Sequence, residues 1–148
     1  MGDPEGDFLL RLYPAEALRS MLKECDFVVV TVPKTSATEN LIGANEISAL
    51  KPTAFLVDVS RGGIVDHAAL IPALKEHKIA GAALDVFPEE PLPADSPLWK
   101  LPNVLLTPHI SGNTIHYHER AMTLFEANLR RYLHDLPLYN LIDLGLGY

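Results

Sequence analysis

The chain has 148 residues, 48% of them hydrophobic and 21% charged, which suits one folded domain with a core and excludes a largely disordered chain. A net charge of -7 removes the basic face that nucleic acid backbones or anionic membranes require. A small molecule is the expected ligand, and no run of about 20 apolar residues is present to span a bilayer.

Residues 1–6 lack the basic and apolar parts of a signal peptide. Residues 14–24 carry Leu18, Met21 and Leu22 at helical spacing and predict a helix, followed at once by a buried strand over 27–32. Between them, Cys25 is the single cysteine and has no partner for a disulfide or a metal pair. It is expected to be a small core residue of a cytoplasmic protein. The unit then recurs: a short helix over 45–50 leads to a strand over 54–59, a helix over 67–76 to one over 79–86, and a last strand covers 104–106. These runs lack alternation, as expected for strands covered on both faces by helices, and predict a parallel α/β sheet. Asp66 would cap the third helix, and Pro72 within it predicts a kink or a late start.

The final helix is expected to start at Asn113 or Thr114 and run to about His134, with Met122, Phe125, Leu129 and Tyr132 as a core-packing stripe. His116 and His118 are two apart and face different directions, so they read as surface residues, and no metal site is expected. The apolar tail over 136–148 contains Gly145 and Gly147 and reads as an extended segment that docks on something else.

In an open parallel sheet, ligands bind beyond the carboxyl ends of the strands. The first predicted strand runs into Val32-Pro33-Lys34-Thr35, an apolar wall suited to a flat ring. The second runs into Ser60-Arg61-Gly62-Gly63, a guanidinium beside two glycines that let backbone approach a ligand. The third ends in Asp85-Val86-Phe87-Pro88-Glu89-Glu90-Pro91 and the fourth in Thr107-Pro108-His109-Ile110-Ser111-Gly112. Taken singly, each has a plain alternative: a surface-paired arginine, a solvated acidic turn, a structural histidine. Together at one sheet edge they make chemical sense for hydride transfer from a 2-hydroxy acid. Arg61 would grip the carboxylate and His109 would take the hydroxyl proton. Glu90 would fix the histidine's tautomer and favour its charged form.

The segments Asp26-Phe27-Val28-Val29-Val30 with Val32-Pro33, Ser60-Arg61-Gly62-Gly63-Ile64-Val65-Asp66, Ala83-Leu84-Asp85-Val86-Phe87 to Glu90-Pro91, and Thr107-Pro108-His109-Ile110 resemble the D-isomer-specific 2-hydroxyacid dehydrogenases. The resemblance covers residues 18–133 and extends to phosphoglycerate dehydrogenase and glyoxylate/hydroxypyruvate reductase. It implies a catalytic set of Arg61, Glu90 and His109, with Asp85 at the nicotinamide carboxamide and Val59 and Ser60 along its ribose. Val32, Pro33 and Thr38 would line the adenosine side, and Arg61, His109 and Ser111 would also border the cofactor. NAD is the implied cofactor, with NADP as the alternative. A small 2-hydroxy or 2-keto acid is the implied substrate, and a homodimer is implied for the full-length parent.

Two features depart from the family pattern. No Gly-x-Gly-x-x-Gly occurs in the sequence, so the chain is expected to be the C-terminal part of a dinucleotide-binding domain over 1–135. Its fold would be a partial doubly wound, Rossmann-like parallel sheet lacking the first βαβ half, and the tail over 136–148 would return to an absent substrate domain. Lys34 stands where the family is commonly apolar, and Ser111 where glycine is commoner. The alternative to an oxidoreductase fragment is an inactive remnant serving as a nucleotide-binding or structural module. A flavodoxin-like domain would fit the alternation but leaves the Arg, Glu and His placements unexplained.

Overall fold

The computed structural model describes residues 7–145. The readings of residues 1–6 and of the end of the tail at Gly147 fall outside them. Strands β1 (Phe27–Val30), β2 (Phe55–Asp58), β3 (Gly81–Leu84) and β4 (Val104–Leu106) form one sheet in that order, every pairing parallel. The first three strands are shorter than the apolar runs predict. Their last residues leave the ladder and turn into loops at one edge, which is where the site lies.

Helices α1 (Leu18–Leu22), α2 (Ala44–Ala49) and α3 (His67–Lys75) alternate with the strands. The N-terminus of α2 is closed by Glu46, whose carboxylate accepts from the Gly43 N–H at 3.3 Å. Asp66 caps α3 by accepting from Ala68 N–H at 2.9 Å. Pro72 lies inside α3, and the expected late start does not occur, because the helix begins directly after Asp66. The missing bond is offset by burial of Leu70 and Leu74, each contributing roughly 1.5–3 kcal/mol.

The core lies on one face of the sheet, where Leu22, Ile47, Leu70 and Leu74 pack over Val28, Val30, Leu56, Ala82 and Leu84. Coverage of both faces, expected from the unbroken apolar runs, is not found. The pleat sends every second side chain to a face that the described elements leave open, so Phe27 is 68% and Val29 59% exposed, with Leu105 alongside. The Phe27 and Phe55 rings stack on that face with centroids 5.7 Å apart.

Helix α4 (Tyr117–Leu133) corrects two further expectations. It has no buried residue, and the stripe of Met122, Phe125, Leu129 and Tyr132 is exposed instead of packed in the core. It also starts later than Asn113 or Thr114, because the Thr114 carbonyl accepts from Tyr117 N–H at 3.0 Å and closes a separate turn first. The described part of the tail folds back on this helix. Asn128 exchanges hydrogen bonds with the Tyr139 backbone at 2.8 and 3.1 Å, and the Arg131 guanidinium lies 4.3 Å from the Tyr139 ring centroid. His116 and His118 are exposed, and His116 lies 3.4 Å from Glu119. Cys25 is half-buried against the core. Among the described residues no helix is long and apolar enough to cross a membrane, and no group of three or more His, Cys, Asp or Glu could hold a metal ion.

Candidate functional site

Four loops, one beyond each strand, meet at the carboxyl edge of the sheet. In the first, Thr38 Oγ1 donates to the Pro33 carbonyl at 2.7 Å and accepts from Thr35 N–H at 2.8 Å, which folds Val32-Pro33-Lys34 into a fixed wall. In the second, the buried Asp58 carboxylate accepts from the Ser60 N–H at 3.0 Å and from its hydroxyl, which turns the chain at the strand tip. Burial pushes the Asp58 carboxyl up from the usual carboxylate range, against the opposing bonds from Ser60 and the nearby charge of His67.

Gly62 is required by close approach. A Cβ there would lie 1.9 Å from the Phe87 carbonyl oxygen, so the second and third loops touch backbone to backbone. Gly63 has φ +91°, a left-handed conformation that favours glycine. Arg61 Nη1 donates to the Ser60 carbonyl at 2.7 Å and has no carboxylate partner among the described residues.

The third and fourth loops are joined by acids. Glu90 accepts from Phe87 N–H at 2.9 Å through one oxygen and meets His109 Nδ1 at 2.8 Å through the other. The bonds from His109 and then from Phe87 hold the Glu90 carboxyl below its usual range. Asp85 is buried, and its carboxylate accepts from the Thr107 hydroxyl, from Ile110 N–H at 2.9 Å and from Ser111 N–H at 2.8 Å. Burial alone would push this carboxyl up, but bonds from Ser111, Thr107 and Ile110 outweigh it and hold the group well below the ordinary range. These bonds fix the backbone on either side of His109, which has φ +53°. A non-glycine residue in that region is strained and persists where its surroundings over-determine it.

The loops enclose a cavity of about 770 Å³. Val32, Pro33, Phe87 and Pro88 supply apolar wall, and Thr31, Lys34, Val59, Ser60, Arg61, Gly62, Glu90 and His109 complete it. Seven of the sequence-chosen residues thus come together: Val32, Pro33, Val59, Ser60, Arg61, Glu90 and His109. Thr38, Asp85 and Ser111 stand outside this lining and act on it through the loop bonds described above. On the far side of Glu90 and His109, a second, apolar cavity of about 630 Å³ is bounded by Leu92, Trp99 and Leu106.

Asp58, Phe87 and Thr107 matter to this geometry and were not singled out in the sequence. A polar residue inside one apolar run, Asp58, and one directly after another, Thr107, were the available signal for two of them.

The model of the family described as "D-isomer specific 2-hydroxyacid dehydrogenase, NAD binding domain" matches residues 7–111. The chain belongs to the D-isomer specific 2-hydroxyacid dehydrogenase family. It is 50% identical over 112 residues to a glyoxylate reductase from Thermococcus gammatolerans, a match covering 76% of this chain and 33% of that protein. It is 48% identical over 97 residues to glyoxylate/hydroxypyruvate reductase B from Pectobacterium carotovorum, covering 66% and 30%. The chain therefore spans about a third of the length of these dehydrogenase relatives. Among solved structures, a D-isomer specific 2-hydroxyacid dehydrogenase from Xanthobacter autotrophicus in complex with NADPH and MES superposes with TM-score 0.84 at 42% identity, over 90% of this chain and 54% of that one. An NADPH-dependent glyoxylate/hydroxypyruvate reductase from Sinorhizobium meliloti, crystallised with NADP and sulfate, gives 0.84 at 31% identity, over 92% and 44%.

Proposed function

We propose that this chain is the catalytic, cofactor-facing portion of a dehydrogenase that interconverts a small 2-hydroxy acid and its 2-keto acid with NAD or NADP. The observation that carries the reading is the hydrogen-bonded Glu90–His109 pair, at 2.8 Å, in the same cavity as the carboxylate-free guanidinium of Arg61. Support for the cofactor class comes from the matched NAD binding domain and from neighbours crystallised with NADPH and NADP. The residues present suit two parts of the dinucleotide: an apolar wall at Val32 and Pro33 for the adenosine side, and Val59 and the polar atoms of Ser60 for the nicotinamide ribose. The sequence holds no Gly-x-Gly-x-x-Gly, so the pyrophosphate end has no counterpart among them.

A bound nicotinamide dinucleotide supplies the hydride acceptor or donor. Arg61 clamps the substrate carboxylate through its planar fork and thereby orients the reacting carbon. With Nδ1 engaged by Glu90, His109 presents Nε2 to the substrate oxygen, takes the hydroxyl proton in oxidation and returns it in reduction. Glu90, ionised at neutral pH because its carboxyl is held low, fixes the imidazole's orientation through Nδ1. Asp85 positions His109 through the backbone of Ile110 and Ser111. We assign residues 1–135 to the dinucleotide-binding unit and 136–148 to a tail that packs on a separate substrate domain. The match over 7–111 supports the first unit, and the exposed apolar side chains of Leu136, Leu138 and Leu141 support the second. A cytoplasmic homodimer in the full-length parent belongs to the same proposal, supported by the unpaired Cys25 and the exposed apolar sheet face.

The test adds NADH or NADPH with glyoxylate or hydroxypyruvate to the purified chain, alone and together with an N-terminal segment from a relative, and follows nicotinamide absorbance. Turnover that disappears in His109→Ala and Arg61→Ala is expected. A complemented enzyme that stays active in both variants would contradict the assignment.

A further inference from the structure

We propose that Lys34 is a second anion-recognition residue of the cavity that holds Arg61 and His109, so that the acid taken there carries two anionic groups. The inference rests on Arg61 as the carboxylate clamp and specifies the substrate class of the same site.

Lys34 and Arg61 come from loops beyond adjacent strands and line one cavity. Lys34 Nζ donates to the Gly62 carbonyl at 2.8 Å and so bridges the two loops. It lies over Gly63, where a Cβ would come within 3.0 Å of the amine, and glycine leaves the amine that space. A carbonyl uses one of the three ammonium donors and neutralises none of its charge. Neither Lys34 nor Arg61 has an ion-pair partner among the described residues, and the one carboxylate lining the cavity, Glu90, is committed to His109 and to Phe87 N–H.

The cavity thus concentrates two uncompensated cations in a chain of net charge -7. One carboxylate satisfies the planar fork of Arg61, whereas the compact charge of Lys34 remains for a second anionic group. A 2-hydroxy acid with a single carboxylate leaves that charge unanswered; a hydroxydicarboxylate answers both. The same cation could also meet a phosphate of the dinucleotide, and the test separates the two sources.

Calorimetric titration of the purified chain with glycolate, with tartronate and with ADP-ribose is compared across Lys34→Met, Lys34→Arg, Arg61→Met and the surface control Lys75→Met. Tartronate is expected to bind more tightly than glycolate by about fivefold at low salt. Lys34→Met removes that advantage and leaves glycolate unchanged, Lys34→Arg retains it, Arg61→Met weakens both acids, and Lys75→Met changes neither. The inference is overturned if tartronate has no advantage, if neither acid binds, or if Lys34→Met affects both acids alike. Loss of ADP-ribose binding in Lys34→Met with the tartronate advantage intact assigns the cation to the nucleotide and overturns it as well. Arg61→Met leaving both acids unaffected sinks the clamp itself, whereas the Lys34 results alone sink only this inference.

Discussion

Replacing Gly62 by alanine tests whether the loops carrying Arg61 and Glu90 are held together by backbone contact. The added Cβ would stand 1.9 Å from the Phe87 carbonyl oxygen, 2.5 Å from its carbonyl carbon and 3.0 Å from Pro88 N. None of these is the end of a flexible side chain that could rotate away. The loops must separate by about 1 Å, an overpacking strain worth roughly 2–3 kcal/mol. A separation of that size also moves Arg61 relative to the Glu90–His109 pair, a displacement that can cost about a hundredfold in turnover. Urea denaturation followed by circular dichroism measures the first effect, and the complemented turnover assay the second. Gly112→Ala is the control, because nothing lies within 4 Å of its Cβ position. It should stay within about 0.5 kcal/mol of the parent. A Gly62→Ala chain as stable and as active as Gly112→Ala would refute the backbone-contact reasoning.

Asp85→Asn leaves the donors of Thr107, Ile110 and Ser111 with one oxygen instead of two, and should destabilise the chain by about 2 kcal/mol at pH 7. Because the native carboxyl is held low, its contribution is complete above the unfolded carboxylate range and is lost on acidification, so the gap between parent and variant should narrow below about pH 4 in denaturation curves. Asp58→Asn has the opposite sign. Burial raises the Asp58 carboxyl, so its charge opposes folding increasingly as pH rises above about 4 and fully above the raised value, and the variant should be more stable at pH 7 by about 1 kcal/mol, with the gain gone below about pH 4. Equal pH dependence in parent and variant would contradict either statement. Glu90→Gln keeps an acceptor for Phe87 N–H but removes the carboxylate from His109, and turnover in the complemented assay should fall roughly a hundredfold with thermal stability little changed.

Much of this fold is legible in the sequence because buried parallel strands are written as short apolar runs. Residues 27–30, 55–58, 81–84 and 104–106 lie within or match those runs, and the chemistry-bearing residues follow them directly. What the runs do not encode is how many faces are covered. Phe27 and Val29 are as apolar as Val28 and Val30, yet the pleat places them on the open side. The stripe on α4 misleads for the same reason: periodicity shows that a helix has an apolar face, and says nothing about whether a partner within the chain meets it. Within the site, proximity to strand ends was enough to collect Arg61, Glu90 and His109. The bonds of Asp85 to residues 25 and 26 positions later, and the bridge from Lys34 to Gly62, depend on three-dimensional loop paths that no local pattern contains.

The most direct measurement of whether this edge is a nicotinamide site is a backbone-resolved NMR titration of the chain with NADH. Shifts concentrated at Val32, Ser60, Arg61, Gly62 and His109, with residues 117–126 of the exposed helix unmoved, are the expected result. Shifts centred on the open sheet face or on α4, or no shifts at saturating NADH, would contradict it.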